Sequence, residues 1–148
     1  MILFLDFDGV LHPEFSHESR HFCRLPVLEQ VVRQLQDCEV VISSTWRLDL
    51  TLDRLRERFS SDVAARVVGA TPRFRDLKSV PDTLFSYERE AECQAWLRAN
   101  GRAHLPWLAV DDRSWLFRPF SPNLFLVVGR TGLTSAMGKQ LLCKLRSS

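Results

Sequence analysis

Two pairs of carboxylates stand out in the sequence, because each pair directly follows a short apolar run. Asp6 and Asp8 follow "ILFL" with one Phe between them, and Asp111 and Asp112 follow "WLAV". In an extended chain successive side chains point to opposite sides, so Asp6 and Asp8 point the same way. Such apolar runs are typical of central parallel strands that are covered on both faces. The sequence therefore predicts two buried strands that end in negative charge.

Clustered carboxylates of this kind repel one another, and each resists ionisation. A hard divalent cation removes the repulsion. Mg²⁺ prefers oxygen ligands and typically combines one or two carboxylates with phosphate oxygens of a substrate. Asp-x-Asp alone is also compatible with a strand-end turn, but the second acidic pair favours a metal site. We therefore expect Mg²⁺ as the cofactor and a phosphoryl group as the reacting part of the substrate.

Apolar runs and helical patterns alternate along the chain and position these residues. The runs predict strands over residues 2–5, 39–43, 66–72, 106–112 and 123–129. The patterns predict helices from Pro26, through 48–59, from Ser86 to Asn100 and from Thr134 onward. This alternation predicts an α/β fold with an open, mostly parallel five-stranded sheet and helices on both faces. Ligands bind such sheets beyond the carboxyl ends of the strands, where the acidic pairs and the serines that end the second strand meet.

The composition is that of an ordinary globular protein. The chain has 148 residues, of which 45% are hydrophobic and 26% charged, with a net charge of +2. We expect one domain over residues 1–148, and the small net charge does not by itself indicate nucleic-acid binding. The four cysteines form no C-x-x-C motif, which gives no support to a zinc ribbon or a redox site. No signal peptide or membrane-length apolar run is visible, so we expect a cytoplasmic protein with no membrane partner.

Three segments resemble motifs of the haloacid dehalogenase (HAD) superfamily, and they occur in that family's order. "DFDGVLHP" resembles the first motif, "VVISST" the second and "WLAVDD" the fourth. "SSTWR" and "GLT" are also similar to small HAD-like domains associated with bacterial RNA-repair proteins. The resemblance implies a Rossmann-like fold and phosphate-ester hydrolysis. No segment between the motifs is long enough for a sizeable cap domain, so we expect an open site.

The resemblance implies a role for each acidic residue of the motifs. Asp6 matches the nucleophile that becomes an aspartyl-phosphate, and Asp8 matches the general acid that later acts as a base. The family's Mg²⁺ ligands correspond to the Asp6 side chain, the backbone carbonyl of Asp8 and the Asp111 side chain. Asp112 is expected to hydrogen-bond metal-bound water or to be a ligand itself.

The second motif requires a hydroxyl that contacts the phosphoryl oxygens. Ser43 and Ser44 both qualify, and we favour Ser44 because the "TW" that follows it resembles the sequence after this position in similar small domains. A serine here is also an ordinary helix cap. Arg47, directly after this segment, is expected to contact the substrate or to be an ion-pair partner.

The third motif requires a cation that neutralises the nucleophile and the phosphoryl group. Arg89, Arg75 and Lys78 are the candidates. We favour Arg89, because it lies in the first turn of the helix before the fourth strand, where the family's cation usually lies.

These features together predict a Mg²⁺-dependent phosphatase that hydrolyses a phosphate monoester through an aspartyl-phosphate intermediate. One alternative is a signalling module that accepts or binds phosphate without turnover. Another is a phosphatase that acts on nucleic-acid ends, because several arginines lie between residues 47 and 78 and such charge attracts a polyanion. The expected partner is a phosphorylated small molecule or a nucleic-acid end. The oligomeric state is not predicted.

Overall fold

The computed structural model describes residues 1–147, which form a parallel β-sheet flanked by helices. The strands are β1 (Ile2–Leu5), β2 (Glu39–Ile42), β3 (Val67–Ala70), β4 (Trp107–Asp111) and β5 (Leu124–Leu126). Their order in the sheet is β3-β2-β1-β4-β5, and every neighbouring pair is parallel. The predicted open five-stranded α/β sheet is confirmed. The strand order reverses beside β1, which places the ends of β1 and β4 at the switch point where ligands bind.

Helices cover both faces of the sheet, as the sequence predicts. They are α1 (Leu25–Arg33), α2 (Leu52–Arg56), α3 (Ser61–Ala64), α4 (Glu88–Ala99) and α5 (Ser135–Arg146). Leu3 and Leu5 point toward the core that contains apolar residues of α1, α2, α3 and α5. Ile2 and Phe4 point the opposite way, toward α4. The two-residue period of β1 thus divides its side chains between two cores.

The central position of β1 explains why its sequence is continuously apolar. All four of its residues are fully buried, because helices cover the sheet on both sides. On the α4 side, the Phe4 ring makes edge-to-face contacts with Trp96 at 6.0 Å and with Trp107 at 5.6 Å between centroids. The first carboxylates of the sequence therefore follow the most buried strand.

The prediction of one continuous helix through residues 48–59 is wrong. The chain instead forms a 3₁₀ turn over Thr45–Leu48, followed by α2 and then α3. Thr51 starts α2, because its side-chain oxygen accepts a hydrogen bond from the Arg54 amide at 3.3 Å, which is a typical N-cap. The apolar residues have helical spacing, but the cap at Thr51 makes the α-helix begin only at Leu52.

Two predicted helix caps have different outcomes. Ser86 is not the cap of α4: the N-cap is Tyr87, which makes no side-chain capping bond, and the helix begins at Glu88. Thr134 is confirmed as the cap of α5, because its oxygen accepts a hydrogen bond from the Met137 amide at 3.3 Å. At Glu88, an acidic residue in the first turn favours the helix start through the helix dipole.

The connections that precede α1 and α4 are short, as expected for a chain without a sizeable cap. Within residues 1–147, the segment between β2 and α4 contributes α2, α3, β3 and three 3₁₀ turns, over Thr45–Leu48, Phe74–Asp76 and Asp82–Leu84. No helix of this described part is long and apolar enough to cross a bilayer.

The fold makes a stability prediction for two leucines that both lie in strands. Leu3 in β1 is fully buried, whereas Leu126 in the edge strand β5 is 53% exposed. We expect Leu3→Ala to lower the free energy of unfolding by about 2–5 kcal/mol, because it removes buried contacts and leaves a cavity. Leu126→Ala, the control, should change it by less than about 1 kcal/mol. Urea unfolding followed by circular dichroism measures both, and equal losses would contradict this account of the core.

Candidate active site

The ends of three neighbouring strands bring polar residues together at one edge of the sheet. Leu5 of β1 pairs with Ile42 of β2 and with Val110 of β4, so the next residues along the chain, Asp6, Ser43 and Asp111, are neighbours. The backbone amide of Asp6 donates to the Val110 carbonyl at 3.2 Å, and the amide of Ser43 donates to the Leu5 carbonyl at 3.0 Å. The ladder hydrogen bonds therefore fix the positions of these residues.

Side-chain alternation sends these groups to the α4 side of the sheet. Phe4, Val41 and Ala109 all pack in the core beneath α4, so residues two positions later along each strand face the same way. Arg89, in the first turn of α4, lies above this edge. Its Nη1 is 2.8 Å from Asp111 Oδ2 and 3.4 Å from Asp6 Oδ1.

Arg89 is held as a cation by its carboxylate neighbours. Burial opposes its charge, but Asp111 and Asp6 outweigh this effect and raise the pKa of Arg89. These contacts agree with the expectation for the third-motif cation, which remains a prediction. Of the other two candidates, Arg75 lies on the wall of the adjacent cleft, and Lys78 is exposed.

Asp6, Asp111 and Asp112 form a cluster in which ligand oxygens lie within 4.8 Å of one another. Burial and the neighbouring Asp111 raise the pKa of Asp6 well above its usual value, although Arg89 opposes the rise. Burial and Asp111 also raise the pKa of Asp112. One guanidinium is therefore not enough to balance the charge of three carboxylates.

The residues of this cluster fit a hard divalent cation. All the donors are carboxylate oxygens, which Mg²⁺ prefers. Asp112 Oδ1 is buried and has no hydrogen-bond partner among residues 1–147. A buried carboxylate oxygen without a partner is costly, and a cation beside it removes that cost.

Two glycines make room for the Asp112 carboxylate. A Cβ atom at Gly9 would lie 2.2 Å from Asp112 Oδ2, and one at Gly129 would lie 2.7 Å from the same atom. Gly9 also has a φ of +78°, a conformation that glycine adopts without strain. The glycine of "DFDG" thus turns the chain and leaves space for a carboxylate that is distant in sequence.

Asp8 has a different environment from Asp6, although only one residue separates them. Its Oδ1 lies 2.7 Å from His12 Nε2, and its Oδ2 accepts a hydrogen bond from Trp46 Nε1 at 3.0 Å. The hydrogen bond with His12 lowers the pKa of Asp8, and the bond from Trp46 lowers it further. Asp8 is therefore a carboxylate stabilised by two donors, with a side chain that is 46% exposed.

The backbone fixes which nitrogen of His12 carries the proton. The Phe22 amide donates to His12 Nδ1 at 3.2 Å, so Nδ1 is an acceptor and Nε2 donates to Asp8. The His12 ring is buried and stacks on His21 with a centroid distance of 4.5 Å. Phe22 and Trp46 pack edge to face at 5.2 Å and complete this aromatic wall.

Sequence reasoning missed the roles of His12 and Trp46 as partners of Asp8. A signal was present, because both residues lie within or beside the quoted motifs and His12 follows Asp8 by four positions. That spacing becomes a contact only through the turn after Gly9, where the amides of Val10 and Leu11 both donate to the Phe7 carbonyl.

The two serines at the end of β2 have different environments. Ser44 is the N-cap of the 3₁₀ turn, and its Oγ accepts a hydrogen bond from the Trp46 amide at 3.3 Å. Ser43 Oγ is buried without a hydrogen-bond partner in the described part of the chain. By alternation it is Ser43 that shares the face of Asp6. This arrangement supports Ser43, rather than our preferred Ser44, as the hydroxyl that is available to a ligand.

Arg47 is the ion-pair partner that the sequence left open as an alternative. Its Nη2 lies 2.9 Å from Glu92 Oε2. Its remaining donors bind the backbone carbonyls of Thr71, Pro72, Ser43 and Ser44. All five N–H donors of the guanidinium are thereby used, which leaves none for a substrate. The expected substrate contact by Arg47 is not supported, and the residue instead joins the ends of β2 and β3 to α4.

The parallel sheet and its acidic edge define the chain as a HAD-like α/β domain. The sequence model of a family described as "HAD domain in Swiss Army Knife RNA repair proteins" matches residues 2–137. The chain therefore belongs to this family. No curated protein and no solved structure matched the chain significantly. Domains of the HAD superfamily are generally hydrolases.

The contact between Gly9 and Asp112 makes a prediction with a matched control. Gly9 and Gly101 both have positive φ, but a Cβ atom at Gly101 would meet no atom within 4 Å. Gly101→Ala should therefore cost only the backbone strain, about 1–2 kcal/mol. Gly9→Ala should also displace Asp112 and lower Mg²⁺ affinity by about tenfold or more. Calorimetric titration with Mg²⁺ measures the difference, and equal affinities in the two variants would refute the role given to this contact.

The Trp46–Asp8 hydrogen bond makes a prediction about protonation. Because the bond lowers the pKa of Asp8, Trp46→Phe should raise that pKa toward its ordinary value. A lowered pKa in the folded state stabilises the fold above the unfolded pKa, and this stabilisation is lost as the pH falls through the folded pKa. Carbon-13 NMR titration of the Asp8 carboxyl measures the change. Trp115→Phe, at an exposed tryptophan, is the control, and an Asp8 pKa that is unchanged in Trp46→Phe would contradict the prediction.

Proposed function

We propose that this chain is a Mg²⁺-dependent phosphatase that hydrolyses a phosphate monoester through an aspartyl-phosphate on Asp6. The observation that carries the proposal is the position of Asp6. Its carboxylate is buried at the end of the central strand, beside Asp111 and Asp112 and in contact with Arg89. Membership of the HAD superfamily supports the same class of reaction.

Mg²⁺ would be held by the side chains of Asp6 and Asp111 and by the backbone carbonyl of Asp8. Asp112 would be a further ligand or would bind a metal-coordinated water. When bound, the ion supplies positive charge that offsets the repulsion between the carboxylates and the phosphoryl group. Ca²⁺ should inhibit, because its looser coordination moves the nucleophile out of line.

In the first step, a carboxylate oxygen of Asp6 attacks the phosphorus atom of the substrate. A bond forms between Asp6 and phosphorus, and the bond from phosphorus to the ester oxygen breaks. Asp8, in its protonated form, donates its proton to that leaving oxygen. The alcohol departs, and the phosphoryl group remains on Asp6 as an acyl phosphate.

In the second step, Asp8 acts as a base. As a carboxylate it takes a proton from water, and the water oxygen attacks phosphorus while the bond between Asp6 and phosphorus breaks. Inorganic phosphate leaves, Asp6 is again a carboxylate and Asp8 is again protonated. The donors His12 and Trp46 support this step, because they hold the Asp8 carboxylate in one orientation.

We propose that Ser43 and Arg89 bind the oxygens of the transferred phosphoryl group. Ser43 has the unpartnered buried hydroxyl on the face of Asp6, and Arg89 supplies a fixed positive charge there. Developing negative charge on these oxygens is stabilised best by donors that are already in place. Ser44 is the less favoured candidate because its hydroxyl already caps the 3₁₀ turn.

The natural substrate is a phosphorylated small molecule or a nucleic-acid end. The description of the matched family, which refers to RNA repair proteins, favours the nucleic-acid end. The alternative that is not an enzyme is a signalling module that accepts or binds phosphate without turnover.

Two variants of the acidic pair test the proposed reaction. We expect Asp6→Asn to abolish turnover of p-nitrophenyl phosphate and to give no burst, because the nucleophile is absent. Asp8→Asn should also fail in turnover but should still release p-nitrophenolate in a burst, because this leaving group needs little protonation. Rapid-mixing measurements with Mg²⁺ and with EDTA distinguish the two, and EDTA should remove the activity of the wild type.

Asp37→Asn, at an exposed position away from the site, is the matched control and should retain wild-type turnover. Substantial turnover by Asp6→Asn would exclude Asp6 as the nucleophile. A wild-type protein that becomes phosphorylated on Asp6 but releases no phosphate would favour the signalling alternative. Binding of phosphate without any phosphoryl transfer would favour a binding module.

A further inference from the structure

A cleft of about 410 Å³ opens beside the acidic cluster on the α4 side of the sheet. Arg89 forms part of its wall, and the same side chain contacts Asp6 and Asp111. Arg89 therefore lies between the cleft and the proposed nucleophile. Its volume lies within the range that is usual for small-molecule sites.

The charge of this cleft is strongly positive. Five arginines and two glutamates line it. Glu92 is engaged by Arg47, and Arg89 is engaged by Asp111. The remaining arginines, Arg73, Arg75 and Arg113, make no side-chain hydrogen bond or ion pair with any residue between 1 and 147. Elsewhere, arginines such as Arg33, Arg102 and Arg118 each bind a carboxylate.

These three arginines lie on segments that the structure holds firmly. Arg73 and Arg75 flank Phe74, whose amide donates to Glu92 Oε2 at 2.8 Å. Arg47 binds the carbonyls of Thr71 and Pro72 just before this segment. Arg113 follows the acidic pair at the end of β4, and its amide donates to Asp111 Oδ1 at 2.9 Å. Because the backbone is already fixed, only the arginine side chains have to become ordered when an anion binds.

We propose that Arg73, Arg75 and Arg113 form a second phosphate-binding site, so that the substrate carries another phosphate besides the one that is hydrolysed. The inference rests on the proposed phosphatase activity. Guanidinium groups bind phosphate through paired, charge-assisted hydrogen bonds. The apolar side chains of Leu48, Phe74 and Leu116 lie on the same cleft wall and suit the carbon skeleton between the two phosphates.

Two kinds of substrate carry a second phosphate, and activity measurements with a panel of substrates distinguish them. One is a nucleoside bisphosphate, and the other is the terminal phosphate of an oligonucleotide with its neighbouring phosphodiester. Nucleoside 5′- and 3′-monophosphates and p-nitrophenyl phosphate lack the second phosphate. The wild type should prefer substrates with two phosphates by about tenfold or more in kcat/KM at constant ionic strength. The better of the two such substrates identifies the source.

The decisive variant is Arg73→Gln/Arg75→Gln, which leaves Arg113 in place because that residue adjoins the acidic cluster. The ratio of kcat/KM for the two-phosphate substrate to that for p-nitrophenyl phosphate should fall by about tenfold. Arg98→Gln/Arg146→Gln removes the same charge at exposed helix positions and should leave the ratio unchanged. A ratio that is unchanged in the cleft variant, or that falls equally in the control, overturns the second site.

A binding experiment separates this inference from the proposed reaction. Calorimetric titration of the Asp6→Asn protein with nucleoside 3′,5′-bisphosphate needs no turnover. If the bisphosphate binds more tightly than the monophosphate and Arg73→Gln/Arg75→Gln removes the difference, the second site stands even where no phosphatase activity is found. If p-nitrophenyl phosphate is hydrolysed but no preference for a second phosphate exists, the phosphatase stands and the second site is refuted.

Discussion

The structure is organised around one electrostatic constraint, which is the burial of the Asp6 carboxylate at the end of the central strand. A buried charge is tolerated only with a partner, and Arg89 is the protein's own partner for Asp6 and Asp111. Helix α4 must therefore begin directly above this edge of the sheet. That requirement places the charged N-terminal part of α4, which includes the buried residues Arg89, Glu90 and Glu92, against the protein interior.

The two buried glutamates of α4, Glu90 and Glu92, each hold a loop beside this edge of the sheet. Glu92 accepts hydrogen bonds from Arg47 and from the Phe74 amide, which fixes the chain after β3. Glu90 binds the Arg118 side chain at 2.6 Å and accepts a hydrogen bond from the Arg118 amide, which fixes the chain after β4. Ion pairs and backbone hydrogen bonds, rather than apolar packing alone, thus build the rim of the site. Such partnered charges determine one arrangement of the loops, because an unpartnered alternative is costly.

The parts of the molecule that sequence predicts are those that depend on local pattern. The apolar runs identify β1 and β4 and so identify Asp6 and Asp111, because strand ends in a parallel sheet share one edge. The break before α2 is not predicted, because the apolar spacing continues through residues 48–59 and gives no sign that Thr51 caps a new helix there. The partners of Asp8 and Arg47 depend on contacts across the fold, and 38 positions separate Asp8 from Trp46. Sequence spacing carries no information about such contacts until the turns around Gly9 and Thr45 are known.

The two carboxylates of the first motif show how one backbone turn creates two different acids. Asp6 ends a buried strand, and burial together with Asp111 raises its pKa. Asp8 lies after the strand has ended, and donors from His12 and Trp46 lower its pKa. Neighbouring titratable groups whose pKa values are driven apart are a frequent basis for a division of catalytic roles. In the proposed reaction the raised pKa of Asp6 opposes its use as a nucleophile, because attack requires the ionised form. The nucleophile thus depends on added positive charge, so a cation requirement follows from the burial of β1 itself. For Asp8 the shift runs the other way: His12 and Trp46 favour its ionised form, which is the base of the second step, and the proton that it takes from water there is the one that it donates in the next turnover.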